Sequence, residues 1–148
     1  MDDRYLITVL GTQQVDGESD SIEVITTGDC RREDGRVIVT YPEFSQEDPN
    51  IRTDTTVTFD GSLLTIERRG EMSSRLMLEK GRRHRCLYDT PMGQMLIGIF
   101  TDNITADVDD SGGTIRASYQ LDFNNSAVSY NEFNITIKEN KPSAPSEG

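Results

Sequence analysis

The chain has 148 residues, a formal net charge of −11 and 34% hydrophobic residues. That length is one domain's worth and can bury a core, while the acidic balance repels nucleic acid and anionic membrane at long range. No stretch approaches the ~18 consecutive apolar residues of a membrane-spanning helix, and the opening MDDRYLITVLG lacks the basic start of a secretory signal. A soluble cytoplasmic protein is expected.

Taken in order, almost every segment alternates apolar and polar residues with period two, the pattern of half-buried strands. The first strand is read over Tyr5–Gln14, with Ile7 and Val9 on one face and Thr8 and Thr12 on the other. VDGESD turns the chain into Ser21–Cys30, where Gly28 marks a bend or bulge. Asp34-Gly35 is a hairpin signal leading to Arg36–Phe44, in which Val37, Val39 and Tyr41 share a face and Pro42 marks an edge position. Thr53–Phe59, the Asp60-Gly61 turn and Ser62–Arg69 form the next hairpin, followed by Ser74–Glu79, His84–Thr90 and Gln94–Thr105. Thr114–Phe123 and Val128–Lys138 end the fold.

About ten antiparallel strands in so small a domain leave two exposed edges if the sheet stays open, and closing it removes them. The expected fold is therefore all-β, a closed antiparallel meandering barrel. Residues 1–138 form its single domain, and residues 139–148 are a polar, disordered tail.

Chemistry-bearing motifs are sparse. The sequence has no HExxH, Walker, GxGxxG or GxSxG pattern, so no catalytic residue, metal site or cofactor is expected. Asp107, Asp109, Ser111 and Gly112 sit at the spacing of a calcium loop, but the twelfth position is Ser118 instead of Glu, and Asp and Gly are what tight turns use anyway. Cys30 and Cys86 fit neither a CxxC nor a zinc spacing and are read as reduced thiols.

Charge is uneven along the chain. Residues 65–90 hold seven basic and four acidic groups, against five and fourteen in residues 1–64. At the turn EKGRRHR, residues 79–85, such a run is ordinarily solvated or paired with neighbouring acids; the competing reading is a docking patch for an anionic partner such as RNA. The absence of interleaved aromatics argues against nucleic acid.

The inward polar residues say more. Period two places Arg68 on the face of Leu64 and Ile66, and a guanidinium there needs a counter-ion. Glu43 continues the face of Val39 and Tyr41, provided that Pro42 does not switch the faces. With Tyr88, Thr90 and Tyr119 on neighbouring inward faces, Arg68, Glu43 and Tyr41 complete a candidate ligand-binding cluster in the barrel interior. One reading is a structural ion pair in a filled barrel that serves as an interaction module. The other is a pocket for a small amphipathic or anionic ligand.

The order ITVLGTQ, IEVITTGD, VIVTYPEF, TIERRG, LYDTPMG and IRASYQL, from Tyr5 to Lys138, resembles the YwiB-like bacterial family of unknown function. The motifs carrying the likeness are Gly11, Gly28, Tyr41-x-Glu43, Arg68-x-Gly70 and Tyr88-x-Thr90-x-x-Gly93. The resemblance implies a small cytoplasmic protein with a calycin-like, or lipocalin-like, β-barrel, with Tyr41, Glu43, Arg68 and Tyr88 in its interior. It implies no activity. The Gly-x-Trp signature of secreted lipocalins is absent, since the chain has no Trp.

Overall fold

A computed structural model describes residues 5–44, 48, 50–70, 73–90, 93–109, 111–123 and 126–139 of the protein. Ten strands follow one another: β1 (Tyr5–Val15), β2 (Glu18–Glu33), β3 (Arg36–Phe44), β4 (Arg52–Phe59), β5 (Leu63–Arg69), β6 (Ser74–Glu79), β7 (Arg83–Thr90), β8 (Gly93–Asp109), β9 (Gly112–Phe123) and β10 (Ser126–Glu139). Each pairs antiparallel with its sequence neighbours, and β1 pairs with β10 to close the barrel. Glu139, expected in the tail, belongs to β10 and pairs with Tyr5; the rest of the expected tail, residues 140–148, lies outside the described residues.

Turn chemistry sets several of these hairpins. Asp16 and Gly17 have φ of 50° and 80°, and Asp34 and Gly35 have 51° and 78°. Positive φ at both central residues is the turn that matches strand twist, and Asp-Gly tolerates it well. Asp60-Gly61 does something else. The Asp60 carboxylate accepts hydrogen bonds from the Ser62 and Leu63 amides at 2.9 and 2.8 Å, closing a longer turn, and these donors hold its carboxyl below the usual range. Asp109 accepts from the Ser111 amide and hydroxyl at 2.9 and 2.8 Å, so the calcium-like loop is a side-chain-capped hairpin.

Two strands run longer than their alternation suggested. β2 serves two partners: Glu18–Gly28 pair with β1, and Asp29–Glu33 pair with β3. The β1–β2 ladder is regular, so Gly28 is the hand-over point and not a bulge. A side chain there would run into Ile7, Thr40 and Tyr41, which explains a glycine at this close approach. β8 carries a bulge at Asp102. It shifts the buried phase from Ile97, Ile99 and Thr101 to the half-buried Ile104 and Val108, which hides the end of the strand from a period-two reading.

The barrel interior is divided. Toward the turns at residues 33–36, 60–62 and 80–82 it is filled by Ile7, Val39, Val57, Leu64, Ile66, Leu78, Ile99, Ile115, Ile135 and Ile137, each at most 2% exposed. Every such side chain contributes roughly 1.5–3 kcal/mol by leaving water. Cys30 and Cys86 are buried free thiols in the same core. Among the described residues the shortest ladder is β6–β7, registered at Ser74↔Tyr88. Glu79 bridges that seam by accepting a 3.0 Å contact from His84 Nε2 and pairing with Arg82 at 3.7 Å. No described helix is long and apolar enough to cross a membrane.

Candidate ligand site at the barrel mouth

The opposite end, marked by the β1–β2 turn at residues 15–18 and by the ends of β3 at Phe44 and β5 at Arg69, is polar and partly empty. β3 alternates through Pro42 without a break: the ladder to β4 continues at Pro42↔Asp54 and Glu43↔Thr53, so Glu43 keeps the inward face of Val39 and Tyr41. Pro42 instead ends the pairing with β2, whose last contact is Asp29↔Thr40. Lacking an N–H, Pro42 cannot donate to that ladder, and its carbonyl accepts from the Thr26 hydroxyl at 3.2 Å. Beyond this point Glu18–Gly28 of β2 pair with β1 and have no registered partner on β3 among the described residues.

Backbone register assembles the site. Tyr41 lies opposite Thr55, and Thr55 opposite Arg68, forming one row across β3, β4 and β5. Glu43 Oε2 accepts the Thr55 hydroxyl at 2.9 Å and faces Arg68 Nε at 3.6 Å. The side chains of Arg68 and Glu43 retain 31% and 25% exposure, so the pair stands at the mouth and is not sealed in the core. Thr55 is 1% exposed and depends on Glu43 for its hydrogen bond. Tyr41 is 3% exposed, and its hydroxyl has no partner among the described residues. Burial, reinforced by the Glu43 charge and opposed by Arg68, pushes its phenol well above the usual tyrosine range, so it stays a neutral hydroxyl.

A second row faces the first: Asp20 opposite Gln13, Gln13 opposite Asn131, and Asn131 opposite Tyr119. Asn131 is held by its bonds to the Ser129 carbonyl and hydroxyl at 3.2 and 3.1 Å. Between the rows lies a cavity of about 430 Å³ open to solvent. Val9, Ile22, Val24 and Phe133 give it an apolar wall, with Glu43, Arg68, Tyr119, Asn131, Asp20 and Glu132 around them. Ile22 remains 68% exposed at its lip.

Of the residues expected in the cluster, Arg68, Glu43 and Tyr119 line this cavity, and Tyr41 is buried beside the ion pair. Tyr88 and Thr90 belong to β7, but their side chains lie outside the described residues. Thr55 and Asn131 were missed. Thr55 shares the inward face of Val57 and was legible as such; Asn131 and Asp20 come to the site only through the closing ladders, which no local pattern announces. Within the basic run at residues 79–85, Arg83 takes the paired form of the expectation, meeting Asp122 at 2.7 Å.

The model of a domain of unknown function, DUF1934, matches residues 7–135. The chain belongs to the DUF1934 family. Its barrel is similar to that in the crystal structure of the ywiB protein from Bacillus subtilis, with a TM-score of 0.81 over 93% of this chain and 92% of that one. At 20% identity this likeness concerns the fold alone. A search of curated proteins finds no match. The expected YwiB-like family and all-β barrel are therefore met, and the DUF1934 family brings no assigned chemistry to the mouth.

Proposed function

We propose that this protein binds a small amphipathic molecule in the mouth of its barrel. The apolar part of the ligand packs against Val9, Ile22, Val24 and Phe133, and its polar head meets the Glu43–Arg68 pair. The observation that carries the reading is the open cavity of about 430 Å³ in which an apolar wall and a half-buried ion pair converge. Ligand sites are commonly clefts of about 300–1,000 Å³ with a few placed polar groups, and the exposed Ile22 at the lip is apolar surface that a ligand would cover.

Nile red, a neutral apolar dye, tests this directly. Saturable fluorescence enhancement is expected, and Val24→Trp, which fills the cavity, should abolish it while the melting temperature stays within a few degrees. Absence of saturable uptake, or uptake untouched by Val24→Trp, would refute the proposal.

A second reading, an interaction module, draws on the outer face of β7 and β8, where Leu87 pairs with Leu96 and both are exposed along with Phe100. Sedimentation that shows concentration-dependent association, abolished by Leu87→Ser, would favour it.

A further inference from the structure

We infer that the head group taken by this mouth is a cation, an alkylammonium in place of the carboxylate or phosphate that a lone inward arginine suggests. The inference rests on the binding reading above and decides its sign. Four charged side chains border the cavity: Arg68, Glu43, Asp20 and Glu132. Glu43 Oε2 stands 3.6 Å from Arg68 Nε, so an anionic head at Arg68 would sit beside a fixed carboxylate that repels it. Asp20 shares the inward face of Ile22 and Val24, whereas Glu132, between the buried Asn131 and Phe133, faces outward and reaches the cavity at its rim, so the mouth is net negative with Asp20 as its uncompensated inward charge.

A sphere of 430 Å³ is about 9 Å across, so these charges act on a bound head within roughly one Debye length. The apolar wall weakens solvent screening further. Acceptors for an ammonium are also in place. Glu43 uses Oε2 for both Thr55 and Arg68, while its Oε1 has no partner among the described residues. Asp20, on the inward face of Ile22 and Val24, offers further carboxylate oxygens at the cavity wall. An anion would meet one cation whose charge the adjacent Glu43 offsets, within a net negative mouth; an ammonium finds open carboxylate acceptors and an uncompensated field.

Displacement of Nile red by decylammonium, decanol and decanoate at pH 7, each below its micelle concentration, tests the sign with one chain length. Decylammonium is expected to displace the dye at a concentration at least tenfold lower than decanoate, with decanol between. The double variant Asp20→Asn/Glu132→Gln, which leaves the Arg68–Glu43 pair intact, should shrink that ratio several-fold. Equal displacement by all three, or a preference for decanoate, would overturn the inference while leaving the cavity reading standing. A ratio unchanged in the double variant would assign the preference to the acidic protein as a whole and also overturn it. If none of the three displaced the dye, both readings would fall.

Discussion

Arg83 and Asp122, 39 residues apart in sequence, meet across a glycine. The Arg83 guanidinium lies over Gly98 of β8 and grips the Asp122 carboxylate through Nη2–Oδ1 at 2.7 Å and Nε–Oδ2 at 3.2 Å. The contact spans three strands, β7 to β9, and exists because the residue between them has no side chain. A methyl group at position 98 would fall on the guanidinium itself. Because the obstructing atoms are the far end of a flexible side chain, Gly98→Ala should evict Arg83 and leave the backbone in place. The expected cost is about 1 kcal/mol, the worth of a bidentate, partly exposed pair. In an Arg83→Gln background the same change should cost much less. A double-mutant cycle from urea midpoints checks this; equal costs in both backgrounds would show that the pair is not what Gly98 accommodates.

Arg68→Met should destabilise the fold by about 1 kcal/mol, because Glu43 loses a partner but keeps access to water. Full burial would have made it several times worse. Adding Glu43→Gln should recover most of the loss, since a glutamine oxygen still accepts the Thr55 hydroxyl. Glu43→Leu should not: it strands Thr55 in the interior and should cost about 1–3 kcal/mol. Denaturant titration of the four proteins separates these cases, and a neutral Glu43→Leu would remove Thr55 from the argument.

Tyr41→Phe should leave stability unchanged or slightly raised, because it deletes a buried hydroxyl that has no partner among the described residues. Because that hydroxyl is buried and does not line the cavity, the same change should leave decylammonium binding unaltered. Isothermal titration alongside thermal melting checks both, and a large loss of stability would reveal an internal partner.

Tyr41 also sets an alkaline limit. Its phenol ionises at about pH 10 in the unfolded chain and at higher pH in the folded one. Above pH 10 the folded state therefore binds more protons than the unfolded state, and stability falls as pH rises. The contribution is fully present below the unfolded value and disappears toward the folded one. Melting temperatures between pH 8 and 11 should drop more steeply for the wild type than for Tyr41→Phe. Parallel curves would contradict the assignment.

Much of this architecture was readable because strands with one wet face write their geometry into alternate residues. Val39, Tyr41 and Glu43 share a face in the sequence and in the barrel, and so do Leu64, Ile66 and Arg68. The ion pair was legible for that reason. What escaped were features created by contact between distant strands or by breaks in period. The bulge at Asp102 shifted the phase of β8. The two-partner role of β2 left its ends polar on both faces. Asp122 reads as an outward residue of β9, and nothing near it in the sequence points to Arg83. The mouth itself exists because Pro42 ends one ladder early, which is a property of two strands and not of either alone.

The β1–β10 ladder brings Tyr5 and Glu139 side by side, while β6 and β7 are joined by a single registered pair among the described residues. Since every other neighbour in the barrel is also a neighbour in sequence, the polypeptide is topologically a ring of hairpins that happens to be cut between β10 and β1. A short linker from Glu139 to Tyr5 should allow the cut to be moved to Gly81, at the least bonded hairpin, with the same barrel re-forming. Chain direction orders the strands, but none of them is structurally the first.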